Sequence, residues 1–164
     1  MNSETRGSYR LGLLIVALAA ADQLSKSYLR SHTIKHWPWP GVFEFTQHSN
    51  FGLIANTPVP RLVIIILTCA IMAYIAYRTF SSQANETIWS RTALSLILGG
   101  ALGNLLDRLR LGYVFDWMMF GNTSIMNLSD AFICIGIAWY AWLYFKTSHK
   151  TIPNTTVDAD SGKV

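Results

Sequence analysis

The sequence predicts an all-α membrane fold of four transmembrane helices, and three observations carry that expectation. Only 13% of the 164 residues are charged, against roughly 25% in a soluble domain. Hydrophobic residues make up 51% and the mean hydropathy is +0.29, too little polar material to coat a water-soluble globule of this size. Finally, the apolar residues are gathered into four runs, each closed by polar or charged side chains. Disorder, a collagen repeat and a disulfide-knit module are excluded together. One polytopic domain over 1–145 is expected, with a polar tail at 146–164 whose Thr, Asp and Lys content predicts disorder.

The first run is Leu11 to Ala21, which as a helix continues through Asp22-Gln23-Leu24-Ser25-Lys26 to about Leu29. A cleaved leader is its alternative reading, with Arg6 and Arg10 before the run and Ala19-Ala20-Ala21 as the cut. Three later spans and a charged helical face immediately after that cut argue for a retained helix. The second span, about 61–78, is the cleanest, with LVIIILTCAIMAYIAY between Arg61 and Arg78. The third, about 92–107, reads TALSLILGGALGNLL after Arg91 and before Asp107-Arg108. The fourth, about 130–146, is AFICIGIAWYAWLYF between Asp130 and Lys146. Each core is shorter than the roughly 20 residues a bilayer requires, so the spans must include polar residues at their ends. Cys69 and Cys134 lie inside such runs and read as small core hydrophobes.

Between the first two spans, Pro38, Pro40, Pro58 and Pro60 preclude a long helix. Val42 to Thr46 alternates like a strand, and His32, Trp37 and Trp39 suit an interface. Four spans place both termini on one side. Lys and Arg then divide 7 to 6 between the two faces, which leaves the orientation to other arguments. The net charge of +4 sits beside membrane phospholipid and not nucleic acid, because no basic stripe is interleaved with aromatics. No metal or organic cofactor is expected: His32, His36, His48 and His149 do not have ligand spacing.

One face of the membrane collects Asp22, Asp107, Asp116 and Asp130 at span ends. Ionisable residues at such depth point to function, although Asp22 and Lys26 at i,i+4 also read as a structural pair. Asn104, Asp107 and Arg108 share one helical face, and Gly99 with Gly103 permits close helix packing. Asp116 lies in the apolar run Tyr113 to Phe120, where a carboxylate needs a partner. Asp130 opens the fourth span, as a cap or as that partner. Two neighbouring carboxylates share a proton, and such a pair activates water with one member and protonates a carbonyl with the other. A transporter using the same carboxylates, or a scaffold glued by polar span ends, are the alternatives from other classes.

Five blocks occur in an order that resembles bacterial lipoprotein signal peptidase, or signal peptidase II. They are Asp22-Gln23-Leu24-Ser25-Lys26, Asn50-Phe51-Gly52, Gly99 to Arg108 (GGALGNLLDR), Val114-Phe115-Asp116 and Asn127-Leu128-Ser129-Asp130. The resemblance implies a four-helix inner-membrane aspartic protease, and a monomer is expected. Both termini would be cytoplasmic, and a small periplasmic β-cradle would include Val42 to Thr46. Its substrates would be diacylglyceryl-modified prolipoproteins, cut just before the lipidated cysteine, and globomycin its inhibitor. Asp116 and Asp130 match the catalytic pair. Asp22, Lys26, Asn50, Gly52, Gly100, Asn104, Asp107, Arg108 and Asn127 match residues that line or support the site. Leu53-Ile54-Ala55, Ser129, Trp117 and a short 116–127 segment depart from the family pattern.

Overall fold

The computed structural model describes residues 3–32, 38–39, 41–52, 59–81, 84, 86–121 and 124–148. Four long helices carry the chain: α1 (Ser3–Ser31), α2 (Arg61–Phe80), α3 (Ile88–Arg110) and α4 (Leu128–Ser148). Between them run four short strands, β1 (Pro38–Trp39), β2 (Phe43–Asn50), β3 (Val114–Phe120) and β4 (Ser124–Met126), which form one antiparallel sheet in the order β1-β2-β3-β4. Among the described residues between α1 and α2 there are strands and no helix. The expected strand exists, displaced to Phe43–Asn50. The β3–β4 hairpin was not foreseen, and it turns near Gly121, at a positive φ of 59° that suits glycine.

Among the described residues, two helices are long and apolar enough to cross a membrane, Arg61–Phe80 and Leu128–Thr147. The expectation of four spans therefore meets the observation in part. Helices α1 and α3 have the length, at 29 and 23 residues, but carry charges at their ends. Four of those charges turn inward: Asp22, Lys26, Asp107 and Arg108 are buried. In contrast, α2 and α4 leave Leu62, Ile66, Ile71, Ile135, Ile137 and Phe145 exposed, a larger apolar surface than a water-soluble monomer presents. Cys69 and Cys134 are exposed free thiols, which corrects their assignment to the core, since a lipid-facing position and a core position demand the same apolar composition. The helix α4 also runs into the segment expected to be a disordered tail, as far as Ser148. Trp37, His36, Pro40, Pro58, the Leu53-Ile54-Ala55 departure, His149 and the rest of the tail lie outside the described residues.

Helix α3 is the central element, packed against α1 on one side and α4 on the other. Its glycines permit this. A Cβ on Gly99 would lie 2.7 Å from the Leu18 Cβ of α1, and one on Gly100 would lie 2.8 Å from Ile133 Cγ1 of α4. Gly136 returns the contact from α4, with a Cβ there only 2.8 Å from the Ala93 carbonyl oxygen. Thr87 caps α3, its side chain accepting from the Ser90 amide. At the opposite end of the bundle from the sheet, Arg78, Glu86 and Tyr140 tie α2, the α2–α3 connection and α4 together.

Candidate active site

Each carboxylate of the expected pair is held by an amide from another element. Asp116 is placed by β3 and is 1% exposed. Its Oδ2 accepts from Asn50 Nδ2 at 3.1 Å, and its Oδ1 from Asn127 Nδ2 at 2.5 Å. Asp130 sits in the first turn of α4, where Asn127 is the capping residue. The Asp130 amide donates to Asn127 Oδ1 at 3.0 Å, and the Asn127 amide donates back to Asp130 Oδ2 at 3.1 Å. This reciprocal pair is a capping box with aspartate in the usual glutamate place. Asp130 is thus a cap and more than a cap, because its Oδ1 accepts from Asn104 Nδ2 at 2.7 Å. Asn127 is the pivot, touching both carboxylates.

Behind this pair lies a buried ionic cluster. Lys26 Nζ is 2.8 Å from Asp22 Oδ2, 2.9 Å from Asp107 Oδ2 and 3.1 Å from Asn104 Oδ1. The i,i+4 pair exists as expected, but Lys26 also bridges to α3 and points the Asn104 amide toward Asp130. Asp107 accepts from the Phe115 amide at 3.1 Å, which fixes the backbone just before Asp116. Asp22 accepts from the Ser129 amide at 2.9 Å, just before Asp130. Each supporting carboxylate therefore positions the residue preceding one member of the pair. Arg108 donates to the Gly52 carbonyl at 3.2 Å, and the Gly52 amide to Asn50 Oδ1 at 3.1 Å, so the chain after β2 is tied to α3.

All eleven residues singled out in the sequence meet at this end of the bundle. Gly100 contributes by packing, its Cα facing the start of α4. Sequence reasoning missed Gln23, whose Nε2 donates to Asp107 Oδ1 at 2.8 Å and to the Gly103 carbonyl at 3.1 Å. Its place beside Asp22 in the first quoted block was the available signal. Ser129 was also underrated. Its hydroxyl is buried and has no hydrogen-bond partner among the described residues, and it lies close to Gly103.

Burial pushes the Asp116 carboxyl up to about 6. The Asn127 amide opposes that rise, the nearby Asp130 charge adds to it, and Asn50 and Lys26 oppose it. An apolar cavity of about 520 Å³ approaches the pair between α2, α3 and α4. Ile64, Leu67, Ile71 and Ile133 line its length, while Asn50, Asn104, Arg108 and Asp130 close its polar end. The cavity thus joins an apolar length to a polar end.

Gly103 tests how tightly the cluster is built. A Cβ there would sit 2.6 Å from Asp22 Oδ2 and within the Ser129 hydroxyl. Gly103→Ala is expected to destabilise the protein by about 1–3 kcal/mol through overpacking, despite the helix-propensity gain of about 1 kcal/mol. Thermal melting in detergent reads this, and an unchanged or raised midpoint would show that the cluster has slack.

A family model described as Signal peptidase (SPase) II matches residues 14–146. A lipoprotein signal peptidase of Moorella thermoacetica is 36% identical over 137 residues, covering 79% of this chain and 89% of that protein. One from Streptococcus agalactiae is 33% identical over 136 residues, covering 76% and 84%. Two solved bacterial membrane enzymes share the fold. The first has a TM-score of 0.77 at 22% identity, with 94% of each chain covered. The second has a TM-score of 0.71 at 27% identity, covering 84% of this chain and 93% of the other.

Proposed function

Because the chain belongs to the signal peptidase II family, we propose that it is an inner-membrane endopeptidase that cuts prolipoproteins just before a diacylglyceryl-modified cysteine, with Asp116 and Asp130 as its catalytic pair. The observation that carries this reading is the bridging of both carboxylates by Asn127 at the polar end of an apolar cavity. All four helices span the membrane in this reading. The inward-turned charges of α1 and α3 leave lipid-facing surfaces that a bilayer tolerates, and the exposed apolar faces of α2 and α4 require one. Both termini are cytoplasmic, and the sheet lies at the periplasmic face.

The division of labour follows from position. Asp130 lines the cavity, so in its ionised form it takes a proton from the attacking water. Asp116, deeper and raised to about 6, holds the proton the pair shares and donates it toward the scissile carbonyl oxygen. Asn50, Asn104 and Asn127 fix the two carboxylates before substrate arrives, so little reorganisation accompanies the chemistry. The lipid on the substrate supplies binding, since buried acyl chain is worth roughly 0.8 kcal/mol per CH₂.

The test is cleavage of a diacylglyceryl-modified prolipoprotein by the purified protein in detergent, beside the same precursor without lipid. Cleavage of the modified precursor alone, blocked by globomycin, is expected. Failure on several modified precursors by folded protein would overturn the reading. The pH dependence follows from the sign of the Asp116 shift. The one-proton pair is depleted as pH rises through about 6, so kcat/KM falls above that value by about tenfold per pH unit. The corresponding limb of kcat lies higher, because substrate covering the pair disfavours its ionisation. A kcat/KM rising smoothly from pH 5 to 9 would exclude the shared proton.

A further inference from the structure

A second polar cavity lies on the far side of the ionic cluster, away from the groove between α2 and α4. Its volume is about 60 Å³. Its floor is Gln23, Lys26 and Asp107, and its rim is Ser27, Arg30 and Arg110. The floor is internally satisfied: Asp107 accepts from Gln23, Lys26 and the Phe115 amide, and Lys26 already has three oxygens around it. The rim is not. Among the described residues, Arg30 and Arg110 have no ion-pair or hydrogen-bond partner, although they lie at the ends of two adjacent helices and line one cavity. Counting Asp22 and Asp107 against Lys26, Arg30 and Arg110 leaves one uncompensated positive charge.

The surroundings supply the second half of the argument. Leu24 is 71% exposed, Tyr28 63% and Leu109 59%, one turn or less from the rim and on the side away from the core. A guanidinium pair above exposed apolar and tyrosine side chains is the arrangement that holds a lipid headgroup at the membrane surface. Guanidinium groups match phosphate oxygens in fork geometry. We propose that Arg30, Arg110 and Ser27 bind the phosphate of an anionic phospholipid of the outer leaflet, with its acyl chains along Leu24, Tyr28 and Leu109. The lipid of the proposed substrate carries no phosphate, so this site does not compete for it. A phosphate bound here rests against Lys26 and Asp107, which connects the lipid surroundings to the cluster that supports the carboxylate pair.

This assignment rests on the membrane setting and not on the protease chemistry, and the two are tested apart. The full chain in maltoside detergent is titrated with phosphatidylglycerol, with diacylglycerol, and with inorganic phosphate, and retained lipid is read by native mass spectrometry. Phosphatidylglycerol is expected to be retained several-fold over diacylglycerol. Arg30→Gln with Arg110→Gln should abolish that preference, Arg110→Gln alone should halve it or more, and both variants should cleave substrate at the wild-type rate in lipid-free detergent. Equal retention by the double variant overturns the site. Displacement of phosphatidylglycerol by millimolar inorganic phosphate also overturns it as a lipid site, leaving a site for small anions.

Discussion

Asp116→Asn and Asp130→Asn each lower kcat by about 10³-fold, with KM changed little. Both replacements keep size and one acceptor oxygen, so Asn127 retains a partner at either position. Each removes the ability to exchange a proton. The apolar lining of the groove, Ile64, Leu67, Ile71 and Ile133, is unchanged, and Asp130→Asn alters only its polar end without changing side-chain size. A split in which kcat collapses and KM holds is the signature of a group used in the transition state and not in uniform binding. Glu86→Gln is the comparison variant, a carboxylate lost from the Arg78–Tyr140 tie at the opposite end of the bundle. It should cleave at close to the wild-type rate. If folded Asp116→Asn keeps a tenth of the activity, the pair is structural and the proton exchange resides elsewhere.

The positions that carry this prediction were legible in the sequence because buried charge is rare enough to stand out. Asp22, Lys26, Asp107, Asp116 and Asp130 each interrupt or close an apolar run, and each lies in the cluster or the pair. The four helices were legible for the same reason, since runs closed by Arg61 and Arg78, or by Asp130 and Lys146, have only one economical reading. The pairing of β3 with β2 was not. Val114 to Phe120 is almost uniformly apolar and lacks alternation, and its partner Phe43–Asn50 lies far away in the chain. Pairing of that range is a tertiary fact. The bridge from Lys26 to Asp107 was hidden likewise: the i,i+4 spacing to Asp22 offered a local partner, while the second carboxylate comes from another helix. The cysteines show the converse failure, since a side chain among Leu and Ile faces lipid or core with the same neighbours in sequence.

Lys26→Met should cost about 3–5 kcal/mol, the range for breaking a buried ion pair by removing one partner. For a chain of this length that corresponds to a fall of roughly 10 °C in the melting midpoint. Methionine fills much of the same volume, so the loss is electrostatic. Asp22 and Asp107, 0% and 2% exposed, would be left with hydrogen-bond donors from Ser129, Phe115 and Gln23 but no cation. Activity should fall as well. Lys26 holds Asn104 Oδ1 together with Asn127 Nδ2, and without Lys26 only the Asn127 donor keeps the Asn104 amide nitrogen turned toward Asp130. Adding Asp22→Asn and Asp107→Asn to Lys26→Met separates the two effects. Removing both stranded charges should recover most of the melting temperature, because neutral amides of the same shape can still accept from the Ser129 and Phe115 amides. Turnover should stay low, since Asn104 Oδ1 keeps one of its two donors, Asn127, and lacks the cation. A single Lys26→Met variant that melts within 2 °C of wild type, by the same conversion less than about 1 kcal/mol, would mean that water reaches Asp22 and Asp107. Recovery of turnover by the triple variant would mean instead that Lys26 acts only by balancing charge.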